Sequence, residues 1–125
     1  MGFLDGWLGN ATEVDVDKLA EQYAPLLVDG EQIIRAFVLV RDMFIFTNKR
    51  FVVIDRQGAS GNKVEYHSIP YKSITHFAVE TAGSFDRDAE LKIWLSGMHS
   101  PLEYQLKKGV DVVGVQRMLA QFVLW

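Results

Sequence analysis

The residues best suited to bind a metal ion are histidines and closely spaced acids. The chain contains three histidines: His67, His76 and His99. They are not three or four residues apart, and no acid completes a metal motif with them. Three acids alternate further along: Asp86, Asp88 and Glu90. This looks like a calcium loop, but Leu91 stands where an EF-hand loop needs glycine and no glutamate closes the loop. The spacing therefore predicts no metal site.

A serine between glycines is the one pattern typical of a catalytic nucleophile. Ser60 lies within Gly58–Gly61, but a nucleophile elbow needs a second glycine at position 62, where Asn62 stands. No helix follows whose first turn could hold a phosphate, so the glycines do not form a cofactor loop either. The sequence predicts no catalytic residue and no cofactor, and hence a protein that is not an enzyme.

The composition predicts one compact, soluble domain. Of 125 residues, 49% are hydrophobic and 23% charged, which excludes wholesale disorder. A net charge of -3 argues against nucleic acid as a partner, because few phosphates could be neutralised. The chain has no cysteine, and its first ten residues lack the basic start of a secretory signal. No apolar run approaches the roughly 20 residues that span a bilayer. These features predict a cytoplasmic protein.

Apolar spacing predicts a helix near each end of the chain. About Asp15–Val28, apolar residues recur every three or four positions, with Asp15 or Asp17 as the cap. Pro25 should kink this helix or limit its regular part to the preceding turns, and Gly30 ends it. A second helix follows Asp111, which is its predicted cap.

Between the helices, the apolar period changes to two and indicates antiparallel strands. The seven predicted strands are about 31–41, 43–47, 50–55, 63–69, 73–81, 88–96 and 102–107. Seven strands are too many for one flat sheet with a single covered face. The order therefore predicts a mainly β fold, a bent barrel or orthogonal sandwich with the C-terminal helix at one end.

The second and third strands are apolar on both faces. One face carries Phe44, Phe46, Phe51 and Val53; the other carries Met43, Ile45, Val52 and Ile54. The outer face needs a cover, because a bare one would be a contact surface. Either the N-terminal helix or a second copy of the chain could supply it. We therefore predict self-association through these strands, with Trp94 as a further outward aromatic.

The strings FTNKR, SIPY, ETAG and ELKIW resemble those of the bacterial pleckstrin-homology (PH) domain proteins. The resemblance runs over about Tyr23–Val123. It implies a PH-like fold of seven strands and a C-terminal helix over residues 31–125, preceded by a helical extension over residues 1–30. It also implies a ring-forming homo-oligomer, with a pentamer as the best guess. The biochemical activity of such proteins is not settled, so the resemblance predicts the fold but little about the function.

The resemblance places the loops between certain strands at one open end of the fold. This gathers four basic side chains: Arg41, Arg56, Lys63 and His99. They could form a weak anion site, although solvated loop charges partly offset by Asp42 and Asp55 are the simpler interpretation.

The sequence as a whole favours a non-enzymatic, self-assembling scaffold or adaptor that also binds a protein partner. The residues predicted to carry self-association are Phe44, Phe46, Phe51, Val53 and Trp94. The alternative is binding to a membrane or an anionic headgroup, through the basic loops or through Phe3, Leu4 and Trp7 as an anchor.

Overall fold

The computed structural model describes residues 11–58, 62–81 and 88–124. The chain forms two compact units, Glu13–Pro70 and a second one made of the residues up to Thr12 together with Tyr71–Trp125. The predicted division after residue 30 stays a prediction. Within the first unit, the helix that precedes residue 30 packs on the strands that follow it.

The first unit contains one helix and a five-stranded sheet. The helix is Val16–Tyr23, followed by a 3-10 turn at Ala24–Leu26. The strands are β1 (Thr12–Glu13), β2 (Ile33–Val38), β3 (Met43–Thr47), β4 (Arg50–Gln57) and β5 (Lys63–Pro70), paired in that order. β5 is thus an outermost strand of this sheet.

The N-terminal helix begins at its predicted cap and ends earlier than position 28, because Pro25 limits it to the preceding turns rather than kinking it. The Asp15 carboxylate caps its first turn by accepting from the Asp17 N–H at 2.9 Å. Pro25 lies in the 3-10 turn, so the regular helix ends before it, at Tyr23. Gly30 then takes a φ of 81°, a backbone conformation that a side chain would strain.

The phenylalanine side chains of the sheet are completely buried within the single chain. Phe44, Phe46 and Phe51 all have 0% exposure. The rings of Phe46 and Phe51 stack with centroids 4.5 Å apart, and Phe44 stacks on Phe37 at 4.9 Å. The prediction that Phe44, Phe46 and Phe51 form a self-association surface is therefore wrong, because their side chains are buried in the core and cannot contact a second chain.

The opposite face of the same strands is covered by the N-terminal helix. Leu19 and Tyr23 of the helix form one core cluster with Ile45, Val52 and Ile54 of the sheet. Of the two covers that the sequence left open, the helix supplies this one. Tyr66 and Ser68 of β5 lie on the same face, because they pair directly with Ile54 and Val52 of β4.

The second unit contains a three-stranded antiparallel sheet and the C-terminal helix. The strands β6 (Ile74–Thr81), β7 (Ala89–Leu95) and β8 (Leu102–Leu106) pair in that order, after a 3-10 turn at Tyr71–Ser73. β7 alternates as predicted, with Leu91, Ile93 and Leu95 buried.

The C-terminal helix (Val112–Val123) packs on β6 and on the preceding turn. Its predicted cap is confirmed: the Asp111 carboxylate accepts from the Gly114 N–H at 3.0 Å. The described residues thus contain the seven predicted strands, the short β1 and both predicted helices, and the mainly β fold class is confirmed. Neither helix has the length and apolar character needed to cross a membrane.

Candidate functional site

Three of the four basic residues predicted to form an anion site come to one end of the five-stranded sheet. Arg41 lies in the turn after β2, Arg56 lies near the end of β4, and Lys63 begins β5. Arg41 Nη2 donates to the carbonyl oxygen of Gly58 at 2.7 Å, so this guanidinium joins the turn after β2 to the residue that follows β4. His99 is exposed in the second unit, after β7. A role for the four in anion binding stays a prediction.

Two carboxylates lie at the same end of the sheet. Asp42 Oδ1 accepts from the Arg56 backbone N–H at 3.0 Å. Burial raises the pKa of Asp42 and the neighbouring Asp55 carboxylate raises it further, while the Arg56 N–H and the Arg41 charge lower it; the net shift is upward. These acids offset the positive charge, as the sequence suggested.

Other predicted residues are partly accessible or lie outside the described residues. Val53 is half-buried. Trp94 is also half-buried, and its ring stacks on that of His76 at 4.3 Å. The predicted anchor residues Phe3, Leu4 and Trp7, together with Ser60 and Asp86, lie outside the described ranges. Within those ranges, no three His, Asp or Glu side chains are grouped as metal ligands would be.

A buried ion pair joins the end of the N-terminal helix region to the β3–β4 turn. The Glu31 side chain is 0% exposed. Its Oε2 accepts from Arg50 Nε at 2.8 Å and from Thr47 Oγ1 at 2.7 Å, and its Oε1 accepts from Arg50 Nη2 at 3.0 Å. Thr47 Oγ1 in turn accepts from the backbone N–H groups of Lys49 and Arg50. The carboxylate is thus fully hydrogen-bonded.

The hydrogen bonds outweigh the cost of burying the Glu31 charge. Burial alone would raise the pKa of this carboxyl, but the hydrogen bonds from Arg50, Thr47 and the Val28 N–H, with the Arg50 charge, lower it to about 2. Arg50 also donates to the Leu26 carbonyl at 2.6 Å and to Ser68 Oγ at 2.9 Å. One guanidinium therefore ties the turn after the helix to both β4 and β5.

Beside this ion pair, a cavity of about 60 Å³ opens between the turn after the helix and the sheet. Its lining is mainly apolar, with hydroxyl groups and Arg50 among it: Tyr23, Leu26, Leu27, Ile33, Ile45, Thr47, Arg50, Val52, Ile54, Tyr66 and Ser68. The position of the cavity, partly enclosed and next to the exposed strand β5, makes it the candidate binding site of the first unit.

Sequence reasoning missed both the ion pair and the cavity. The alternating pattern places Glu31 at the start of a strand, and Tyr23 falls within the predicted N-terminal helix, with nothing to mark it as lining a cavity. A signal for Thr47 and Arg50 was present, since both belong to the FTNKR string that carries the family resemblance. No pattern in the sequence indicates that Glu31 meets them, because this contact depends on how the turn after the helix folds back.

Known proteins match nearly the whole chain. The family described as "Bacterial PH domain" matches residues 2–123. The Bacillus subtilis protein YjqA is 50% identical over 121 residues, covering 96% of this chain and 97% of its own. The structure of a DUF1696 family protein with a PH domain from Shewanella loihica is 59% identical, with a TM-score of 0.81 over 93% of this chain and 99% of the other. A PH domain structure from Shewanella amazonensis is 57% identical, with a TM-score of 0.69 over 99% and 100%.

Proposed function

The chain belongs to the bacterial PH domain family, and we propose that it is a non-enzymatic module that assembles with copies of itself and presents the assembly to a protein partner. The observation that carries this proposal is the pair of long outermost strands. β5 and β6 are eight residues each, and each lies at the edge of its sheet. Within the described ranges, no strand pairs with the outer edge of either.

Unpaired strand edges are templates for pairing with another chain. Proteins that do not use such edges blunt them with prolines, bulges or charged side chains along the strand. β5 has charged side chains only in its first half, at Lys63 and Glu65, and proline only at its last position; Tyr66 at its centre is 51% exposed. An edge of this length with an exposed aromatic residue supports strand addition as the mode of assembly.

The His76–Trp94 stack lies beside the second free edge. His76 is an exposed residue of β6, and Trp94 is its cross-strand partner on β7. Tryptophan is enriched among the residues that contribute most to protein interfaces. Trp94 thus keeps the self-association role predicted for it, and Val53 stays a further candidate.

Pairing β5 of one copy with β6 of the next would be a head-to-tail contact. Such heterologous contacts close into rings when the rotation between copies allows it. A ring is therefore the expected product, and five copies is our best guess, which rests on the family resemblance.

Light scattering of the full chain at micromolar concentration tests the assembly. We expect a species several times heavier than the 14.2 kDa chain. Tyr66→Lys and Trp94→Lys should each shift it toward the monomer, because a buried lysine at a strand interface has no partner. Val113→Lys is the matched control, since Val113 is as exposed as Tyr66 (51%) but lies on the C-terminal helix. A single wild-type species of one-chain mass overturns the proposal.

Headgroup or membrane binding is the second candidate function, and the shared location of Arg41, Arg56 and Lys63 supports it. The acids Asp42 and Asp55 at the same end weaken it, because they reduce the attraction for an anion. Flotation with vesicles containing anionic lipid separates the two candidates. Binding that weakens as salt is added would support this second function, and no binding would remove it.

A further inference from the structure

We propose that Asp42 and Asp55 share one proton in the folded protein, and that this proton joins the turn after β2 to β4. Loss of the proton as the pH rises would leave two negative charges facing each other and would weaken that end of the sheet. The pair is thus a pH-sensitive element of the first unit. It does not involve the strand edges of the proposed function, and it would act in a monomer and in an assembly alike.

The two carboxyl groups lie opposite each other across two strands. Met43 of β3 pairs with Ile54 of β4. Asp42 directly precedes the first of these residues and Asp55 directly follows the second, so the antiparallel register brings the two acids side by side. Asp42 Oδ1 accepts from the Arg56 backbone N–H at 3.0 Å, so the turn and β4 are in contact here. Like charges directly opposite each other destabilise a sheet, which makes two full negative charges unfavourable at these positions.

The Asp55 carboxyl group lacks a hydrogen-bond donor for one of its oxygens. Its Oδ1 is a buried atom, and no donor in the described ranges bonds to it. Its Oδ2 accepts from Gln57 Nε2 at 3.5 Å, which is long for a hydrogen bond. Buried polar atoms nearly always have a partner, and an ionised carboxylate can only accept. A proton on one of the two carboxyl groups supplies the missing donor.

The pKa of Asp42 agrees with a retained proton. Burial is the largest cause of its upward shift, and the charge of Asp55 and a hydrogen bond with the Asp55 side chain raise it further. The Arg56 backbone N–H and the Arg41 charge lower the pKa, but the net shift is upward. Two carboxyl groups that share a site hold one proton more strongly than either would alone. The geometry and the pKa thus point to the same hydrogen bond between a carboxyl and a carboxylate.

The two neighbouring arginines do not replace this proton. Arg41 lies in the same turn as Asp42, and its Nη2 donates to the Gly58 carbonyl at 2.7 Å. Arg56 contributes its backbone N–H, while alternation along β4 places its side chain on the opposite face from that of Asp55. Their positive charges stabilise one negative charge on the pair. The donor between the two carboxyl groups is still missing without the proton.

The charged residues of β5 that face the pair are all exposed. Glu65 is the cross-strand partner of Asp55, and Lys63 and His67 lie two residues away from Glu65 on the same face of the strand. Water and salt screen the charges of such exposed side chains. Because Glu65 and Lys63 have opposite signs, their effects on the pair largely offset each other. The N-terminal helix packs on the other face of the sheet.

The direction of the pKa shift determines how stability depends on pH. A carboxyl group whose pKa is higher in the folded than in the unfolded state stabilises the fold at low pH, and this contribution is lost as the pH rises through the folded pKa. Glu31 has the opposite sign, because its pKa is lowered. Asp42 also accepts from the Leu39 N–H through its backbone carbonyl at 2.9 Å. The turn after β2 is therefore the part of the sheet that loss of the proton weakens.

Asp42→Asn tests the shared proton, because its amide keeps an oxygen for the Arg56 N–H and carries a permanent donor for Asp55. At pH 7, we expect urea unfolding to give a folding equilibrium constant about two- to tenfold above that of the wild type, the typical net contribution of one hydrogen bond. The excess should shrink as the pH is lowered toward 3. Asp29→Asn makes the same chemical change at an exposed turn and should alter the constant by less than about twofold. The proposal is overturned if Asp42→Asn is no more stable than the wild type at pH 7, or if its excess does not change with pH.

Titration of the Asp42 carboxyl carbon by NMR, in the isotope-labelled full chain, tests the pair without unfolding it. In the wild type, Asp42 should lose its proton at a higher pH than Asp29, and in Asp55→Asn its midpoint should fall. An unchanged midpoint in Asp55→Asn would show that burial alone holds the proton, and the shared proton would be refuted. Calcium is the natural competitor for two carboxylates. Calcium chloride at millimolar concentration should leave the titration unchanged, whereas a midpoint lowered by calcium would assign the pair to a metal ion and overturn the proposal.

Discussion

Replacing Glu31 with glutamine should remove a large part of the stability of the first unit at neutral pH. The folded pKa of Glu31 is about 2, against an ordinary value of 4.5. This difference corresponds to about 3 kcal/mol of stabilisation at pH 7. Glu31→Gln keeps the shape of the side chain but leaves Arg50 without its counter-charge. We therefore expect a loss of about 3 kcal/mol, measured by urea unfolding as a lower midpoint at an unchanged slope.

The pH dependence gives a second and sharper test. Because the folded pKa lies below the unfolded one, this stabilisation is complete above about pH 5 and disappears as the pH falls toward 2. Near pH 3, roughly 1 kcal/mol of it should be left. The gap between wild type and Glu31→Gln should therefore narrow steadily as the pH is lowered, whatever the other carboxylates contribute, because those are common to both chains.

A matched control separates the ion pair from a general effect of charge. Glu65→Gln makes the same chemical change on the exposed face of β5, and it should alter stability by less than about 0.5 kcal/mol. The reasoning is refuted if Glu31→Gln unfolds at the wild-type urea midpoint at pH 7. It is also refuted if the gap between the two proteins stays constant from pH 7 to pH 3.

Three further substitutions test the packing of both units. Phe46→Asp should unfold the chain rather than release folded monomers, as circular dichroism will show, because it buries a charge at a position with 0% exposure. Leu119→Ala should cost about 2 to 5 kcal/mol in urea unfolding, whereas Val113→Ala on the exposed side of the same helix should cost far less. Asp111→Ala should cost about 0.5 to 2 kcal/mol by loss of the helix cap, and Gln116→Ala, which is exposed in that helix, should not destabilise it.

The local features of the fold were accessible from the sequence because they depend on neighbouring residues. Alternation located the strands, and Asp15, Pro25 and Asp111 located the helix ends. The first predicted strand began too early, at Glu31, whereas β2 begins at Ile33. An acid before alternating apolar residues is typical of an exposed position at the start of a strand. The structure shows instead that the Glu31 side chain is buried and bonded to Arg50.

The candidate sites were harder to predict, since they depend on which faces meet. The sequence showed two apolar faces on β3 and β4 but not which one the protein itself covers. The structure covers both: the three phenylalanines of one face are completely buried, and the other face lies largely beneath the N-terminal helix. A cavity is the gap that such packing leaves, so the type of residue at Tyr23 or Ile54 cannot reveal it. Trp94 could be picked out because its neighbours in β7 alternate clearly.

The Thr47 hydroxyl and the Arg50 guanidinium both belong to the string FTNKR, and both stabilise the fold by hydrogen bonds within the chain. Their partners are the hairpin backbone, Glu31 and the neighbouring turn. A search for related proteins that relies on this string will therefore retrieve chains that fold in the same way, whatever they bind. Functional divergence among such relatives should be sought instead at exposed positions such as that of Tyr66, which the packing of the chain does not fix.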